Sequence, residues 1–197
     1  MTKRAPIVPT ILVLAAAALM ISLGIWQLHR AKWKEALLAQ YGQAQNLPPI
    51  SWPTGRVRSD QLPLFRHATG VCLRIIGRRA VAGENRAGEP GYSQILDCAT
   101  ASQGSGMSVE VGWSKNPNAQ INWSGGAVSG IIGPDRLTGM RLVAASAPPG
   151  LEPAAPPSIM NIPNNHRSYA VQWFAFAAIA VVIYVLALRR RLRESPK

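Results

Sequence analysis

Residues Ile7–Ile25 read IVPTILVLAAAALMISLGI and carry no charge, interrupted only by Pro9, Thr10, Ser22 and Gly24. A helix rises 1.5 Å per residue, so about 20 apolar residues cross the ~30 Å of bilayer hydrocarbon. A second run of similar length, Tyr169–Leu188 (YAVQWFAFAAIAVVIYVLAL), is also uncharged, with Gln172 its most polar member. These two runs, near opposite ends of the chain, predict an α+β membrane protein. Two transmembrane helices flank a small exported β-domain, an antiparallel barrel or sandwich.

The formal net charge is +12, and its distribution sets the topology. Lys3 and Arg4 precede the first run; Arg189, Arg190, Arg191, Arg193 and Lys197 follow the second. Short basic tails beside a span are retained in the cytoplasm, which puts both termini inside and residues 29–168 outside. The outer segment holds fourteen Lys/Arg against eight Asp/Glu, but long segments translocate largely regardless of charge. The basic residues are scattered and no nucleic-acid-binding motif is present, so nucleic acid is excluded as a partner. The first run exceeds the apolar core of a secretory signal, and Leu23-Gly24-Ile25-Trp26-Gln27 is no small-x-small cleavage site. It reads as an uncleaved anchor. With no Arg/Ser-rich presequence ahead of it, the expected compartment is a bacterial inner membrane with the central domain periplasmic.

The expected organisation follows. Residues 1–6 form a cytoplasmic tail, and 7–28 a transmembrane helix continuing along the interface to about 41, before Gly42. Trp26, Trp33 and Leu37 mark that continuation by their helical spacing. Residues 42–65, with Pro48, Pro49 and Pro53, form an extended linker. A β-rich domain covers 66–146, with strands over Val71–Gly77, Tyr92–Leu96, Met107–Trp113, Ala127–Ile132 and Met140–Ala144. Clusters such as Gly83-Glu84-Asn85 and Lys115-Asn116-Pro117-Asn118 separate them. Residues 147–168 form a Pro-rich tether, 169–188 the second transmembrane helix, and 189–197 a basic cytoplasmic tail.

Cys72 and Cys98 are the only cysteines, and both lie in the exported segment, where disulfides persist. A hairpin centred near Asn85 would set them face to face, so a cross-strand bridge is geometrically open. Two small buried apolar residues are the other reading.

Where the two spans leave the membrane on the outer side, the sequence collects Trp26, Gln27, His29, Arg30, Lys32 and Trp33 from the first. Asn165, His166, Arg167, Tyr169, Trp173 and Phe174 come from the second. Aromatic rings and long cations gather at bilayer interfaces without any ligand, which accounts for Trp26, Trp33, Tyr169 and Arg30. Histidine has no such preference. A haem site would use His166 as axial ligand, aromatic walls from Tyr169, Trp173 and Trp26, and Arg30 against the propionates.

The same residues carry a resemblance. Leu23-Gly24-Ile25-Trp26-Gln27-x-x-Arg30-x-x-Trp33-Lys34 and Asn164-Asn165-His166-Arg167-Ser168-Tyr169-Ala170-Val171-Gln172-Trp173-Phe174 are similar to L-G-x-W-Q-x-x-R-x-x-W-K and N-N-H-L-x-Y-A-x-T-W-F. Both motifs belong to the surfeit locus protein 1 family of cytochrome c oxidase assembly factors. Gly91-Tyr92 and Val111-Gly112-Trp113 resemble its G-Y and R-G-W elements. Val111, Arg167 and Gln172 depart from the family's Arg, Leu and Thr, which marks a divergent member.

The resemblance implies a non-enzymatic factor that matures oxidase subunit I by holding or handing over haem a. It also implies His166 as the iron-ligand candidate and haem a synthase as a partner beside the lipid bilayer. A cofactor-free periplasmic adaptor for another membrane complex is the alternative. No catalytic set supports an enzyme: there is no Ser-based motif, no Cys–His pair near in sequence, and no closely spaced carboxylates. His67, alone before a strand, reads as a surface residue.

Overall fold

Apolar, uncharged sequence at both ends of the chain folds as two long helices, and the alternating segments between them form one sheet. The structure, a computed structural model, describes residues 6–55, 57–100 and 106–194. Lys3, Arg4 and Lys197, assigned to the basic tails above, lie outside the described residues. Helix α1 spans Ile7–Ala44 and α2 spans His166–Glu194. Seven strands lie between them: β1 (Ile50–Ser51), β2 (His67–Cys72), β3 (Arg74–Glu84), β4 (Pro90–Ala99), β5 (Met107–Ser114), β6 (Gly126–Asp135) and β7 (Gly139–Ala144).

The chain divides into two units, a helical one built from α1 up to Leu37 and the segment from Pro163 onward, and a sheet unit over Leu38–Ile162. Both helices are long and apolar enough to cross a membrane. Pro9 sits in the first turn of α1, where a missing N–H costs no helical bond, and Thr10 Oγ1 donates to the Pro6 carbonyl at 2.7 Å. Helix α1 runs through Gly42 to Ala44 rather than stopping before the glycine. A mid-helix glycine costs only about 1 kcal/mol, and Tyr41, one residue earlier, stacks on Phe65 with ring centroids 5.0 Å apart.

The sheet order is β1-β2-β6-β7-β5-β4-β3. The sheet is open and mixed, which corrects the expected antiparallel barrel or sandwich: β1 runs parallel to β2, and β5 parallel to β7. The parallel pair arises because β6 and β7 form an antiparallel hairpin that lays its second strand, not its first, beside β5. Strand β5 is buried from Met107 to Trp113. The core gathers around it: Val109, Val111, Leu96, Ile132 and Leu142, with Trp52, Ala68 and Met140.

The expected strand Val71–Gly77 is really the junction of two. Strands β2 and β3 are separated only by Leu73, yet β2 pairs with β6 and β3 with β4. They stand second and last in the sheet order, so the sheet curls strongly to let one residue join them. The disulfide Cys72–Cys98 ties this bend, with Cα atoms 5.2 Å apart. Its geometry differs from the simple hairpin expected. The β3–β4 register (Gly83↔Gly91, Glu84↔Pro90) centres on Ala87 rather than Asn85, and the strand partner of Cys98 is Ile75. Gly83 and Glu84 belong to β3, and the turn begins at Asn85, whose Oδ1 accepts from the Ala87 and Glu89 amides.

The two irregular segments are docked on this unit. Trp52 is buried beside β2, its amide donating to the Thr69 carbonyl at 2.7 Å. In the Pro-rich segment, Trp113 and Glu152 exchange backbone hydrogen bonds at 2.7 and 3.0 Å, and the Ala155 amide donates to the Glu84 carbonyl at 2.8 Å. Prolines deny that segment a regular ladder, so its sequence reads as free linker while its remaining amides still find partners.

Candidate functional site

Small residues recur every seven positions on both helices: Ala17, Gly24 and Ala31 on α1, and Ala170 and Ala177 on α2, all buried. A seven-residue spacing is close to two helical turns, so each set lies on one stripe. The stripes face each other in an antiparallel pair. Thr10 hydrogen-bonds Tyr184 near one end. Gly24 lies under the Phe174 ring in the middle. At the other end, Gln27 meets His166 and Glu35 meets Arg167.

The last contacts define the site. Gln27 Oε1 lies 2.7 Å from His166 Nδ1, with both side chains half-buried. Helix α2 begins at His166, and the Asn165 carbonyl accepts its first intrahelical bond from the Tyr169 amide at 3.1 Å. Arg167 pairs with Glu35 through Nε–Oε1 at 2.8 Å and Nη2–Oε2 at 2.9 Å. The hydrogen bond to Glu35 and its charge push the Arg167 guanidinium pKa up. Lys34 Nζ donates to the Pro163 carbonyl at 2.6 Å. Asn164 Oδ1 is buried and finds no hydrogen-bond donor among the described residues.

Successive helical residues turn by about 100°, and this phase sorts the other expected site residues. On α2, Tyr169 and Trp173 follow His166 by three and seven positions and flank the same side; Trp173 is half-buried, its ring edge-on to Phe176 at 6.3 Å. On α1, Trp26 lies about 200° round from Gly24, opposite the stripe, and Arg30 about 120° round, toward Trp33. Trp26 is 57% exposed, and the Arg30 guanidinium stacks 4.1 Å from the centre of the Trp33 ring. Trp26 is therefore turned away from the helix that carries His166, and Arg30 is turned to Trp33. They form an outward aromatic-cation stripe, and Gln27 and Lys34 are the α1 residues on the His166 side. His29 is exposed. Gln27 stands in the interface cluster read from the sequence and Lys34 only in the motif; the signal that selects them is helical phase relative to Gly24.

A model of the SURF1 family matches residues 14–178, from within the first apolar run to within the second. The chain belongs to the SURF1 family. That family is associated with cytochrome oxidase assembly. No curated protein matches the chain.

The SURF1-like elements of the sheet unit have a packing role. A Cβ on Gly91 would fall 2.5 Å from Cζ2 of Trp113, so this glycine makes room for the indole, whose Nε1 donates to the Gly83 carbonyl at 3.2 Å. Gly112 lies against Leu151, Ala147 and the Glu152 carbonyl, which lets the Pro-rich segment dock. Val111, where the family pattern has Arg, is 2% exposed in the core. A cation there would be buried without a partner in that apolar cluster, so the departure suits this core.

A second polar cluster joins groups that look unrelated in the sequence. Arg79 makes a bidentate pair with Asp135 at 3.0 and 2.9 Å and lies 3.8 Å from Asp97; Arg141 pairs with Glu110 at 2.6 Å and lies 3.6 Å from Asp135. Burial alone would raise the Asp135 pKa. The Arg79 and Thr138 hydrogen bonds and the Arg79 charge outweigh it and hold the carboxyl well below the usual range. Each of these carboxylates is thus taken by a fixed arginine. That is the behaviour of a structural network rather than of a general acid or base. Among the described residues, no group of three or more His, Cys, Asp or Glu could hold a metal ion.

Proposed function

We propose that this SURF1-family chain is a membrane-anchored assembly factor that holds haem a transiently and passes it to subunit I of cytochrome c oxidase. In this reading the chain sits in a bacterial inner membrane with both termini cytoplasmic and the sheet unit periplasmic. Haem a synthase supplies the cargo. The apolar side chains that α1 and α2 leave exposed, among them Leu12, Leu19, Val171, Phe176 and Ile183, support burial in lipid, because a water-facing apolar surface of that size is rare in soluble proteins.

The observation that carries the haem reading is His166 at the join of the two helices, with its Nδ1 engaged by Gln27. An imidazole whose Nδ1 is occupied presents Nε2 as its basic nitrogen, the arrangement in which histidine ligates a metal. The residues fit the cargo in other respects. Trp173 and Tyr169 supply an aromatic flank, Lys34 is a cation on the same side for a propionate, and Asn164 Oδ1 is a buried acceptor without a donor among the described residues. When bound, the haem supplies the iron centre that subunit I requires. The chain's own residues bind it, orient it and keep one face under aromatic cover. A single histidine with a half-open surround suits release better than a sealed two-histidine site.

The test is the visible spectrum of detergent-purified protein from cells that make haem a. A Soret band lost in His166→Ala supports haem handling. A colourless protein that still co-purifies with subunit I favours a cofactor-free adaptor and overturns the haem reading.

A further inference from the structure

Just beyond the apolar run of α1 stands an amide side chain whose hydrogen bond reaches the other helix: Gln27 to His166 at 2.7 Å. We infer that Gln27 is the positioning residue for His166, fixing its neutral tautomer and ring orientation so that Nε2 is free to ligate. The inference rests on the haem-handling reading above, and concerns a residue that never touches the iron.

The chemistry is specific. An amide oxygen can only accept, so Oε1 facing Nδ1 requires the proton on Nδ1 and leaves the lone pair on Nε2. A neutral histidine without such a partner distributes its proton between both nitrogens, and the form protonated at Nε2 cannot bind iron there. Gln27 also carries three rotatable bonds. Ordering such a side chain costs conformational entropy that a single neutral hydrogen bond does not recover. A residue kept only to fasten the helices would therefore be better apolar, as its stripe neighbours Gly24 and Ala31 are. Outer partners of metal-binding histidines set tautomer and basicity in this way, and their loss typically costs 10–100-fold in affinity. Gln27 lies on the stripe that faces α2, whereas Trp26 beside it points away, so only Gln27 in this part of α1 can do it.

The experiment uses the full-length chain in detergent, purified without haem and labelled with ¹⁵N-histidine, and then titrated with haemin as the probe. Wild type is expected to give a His166 signal of the Nδ1-protonated neutral ring, and a haemin Soret shift on binding. Gln27→Leu is expected to shift the His166 signal toward the Nε2-protonated form and to weaken haemin binding 10–100-fold. Gln27→Glu, which still accepts from Nδ1 and tests the idea should the leucine variant misfold, is expected to keep the tautomer, retain binding and lower the haem reduction potential. An unchanged His166 tautomer and haemin affinity in Gln27→Leu would overturn the inference while leaving the haem reading intact. Undiminished haemin binding in His166→Ala would instead remove the haem reading, and this inference with it.

Discussion

Gly24 and Phe174 meet so closely that a Cβ on the glycine would lie 2.6, 2.8 and 2.9 Å from three atoms of the ring. The ring lies against bare backbone, and this contact lets α1 and α2 approach far enough for Gln27, three residues beyond Gly24, to reach His166.

Gly24→Ala is therefore expected to loosen the helix pair. Alanine improves helix propensity by about 1 kcal/mol, but overpacking at a tight contact costs about 1–3 kcal/mol, so the net effect is a loss. Cross-linking between Thr10→Cys and Tyr184→Cys, whose parent hydroxyls touch, should fall in the alanine variant and recover with Phe174→Leu. Undiminished cross-linking would show that the ring simply moves aside.

Opening the Cys72–Cys98 bridge is expected to destabilise the sheet unit by about 3–4 kcal/mol, the chain-entropy value for a loop of 26 residues. The urea midpoint should drop on reduction, and by a similar amount in the Cys72→Ala/Cys98→Ala variant. An unmoved midpoint in protein shown by mass to be reduced would mean that the curled sheet holds the bend without the bridge.

The Arg79–Asp135 pair predicts a sign for the pH dependence. The Asp135 carboxyl titrates lower in the folded chain than when unfolded. Its contribution is therefore complete above the unfolded value of about 3.9, and is lost as pH falls below that toward the folded value. Stability should decline below about pH 4 in wild type, and less steeply in Asp135→Asn. At neutral pH, Asp135→Ala should cost about 3 kcal/mol by leaving Arg79 without its main partner, read as a drop in melting temperature. A flat acid limb in wild type would contradict this account.

Gly91→Ala is expected to cost about 1–3 kcal/mol, because the added methyl meets the Trp113 ring, not a flexible chain end, at 2.5 Å. The loss should appear as a lower melting temperature and altered near-ultraviolet dichroism from the displaced indole. Identical spectra would argue that Trp113 has room to shift.

Both long helices were legible in the sequence because twenty uncharged residues have few other uses, and the motif at His166 pointed to the end of the pair that matters. Helical phase turns Trp26 away from the second helix and brings Gln27 to His166, a distinction that the motif's letters do not show by themselves. In the sheet, five strands were readable from apolar alternation. The exchange of partners at Leu73 was not, since both halves are extended and no glycine or proline marks the junction. The pairing of β5 with β7 was equally hidden, because parallel register leaves no local turn signal. The arginine-carboxylate cluster draws together Arg79, Asp97, Glu110, Asp135 and Arg141 from five strands, a proximity that sequence spacing cannot express.

The place of β7 beside β5 also bears on how the domain is made. Strand β5 is covered on both faces in the finished sheet, yet one of its two edges waits for Leu142 and Val143. Those residues emerge some thirty positions later in synthesis. Until they arrive, Met107–Trp113 offers an open, apolar ladder of the kind that recruits foreign strands. A late-closing sheet of this topology folds slowly. Truncation just before Gly139 should consequently yield aggregates rather than a smaller soluble domain.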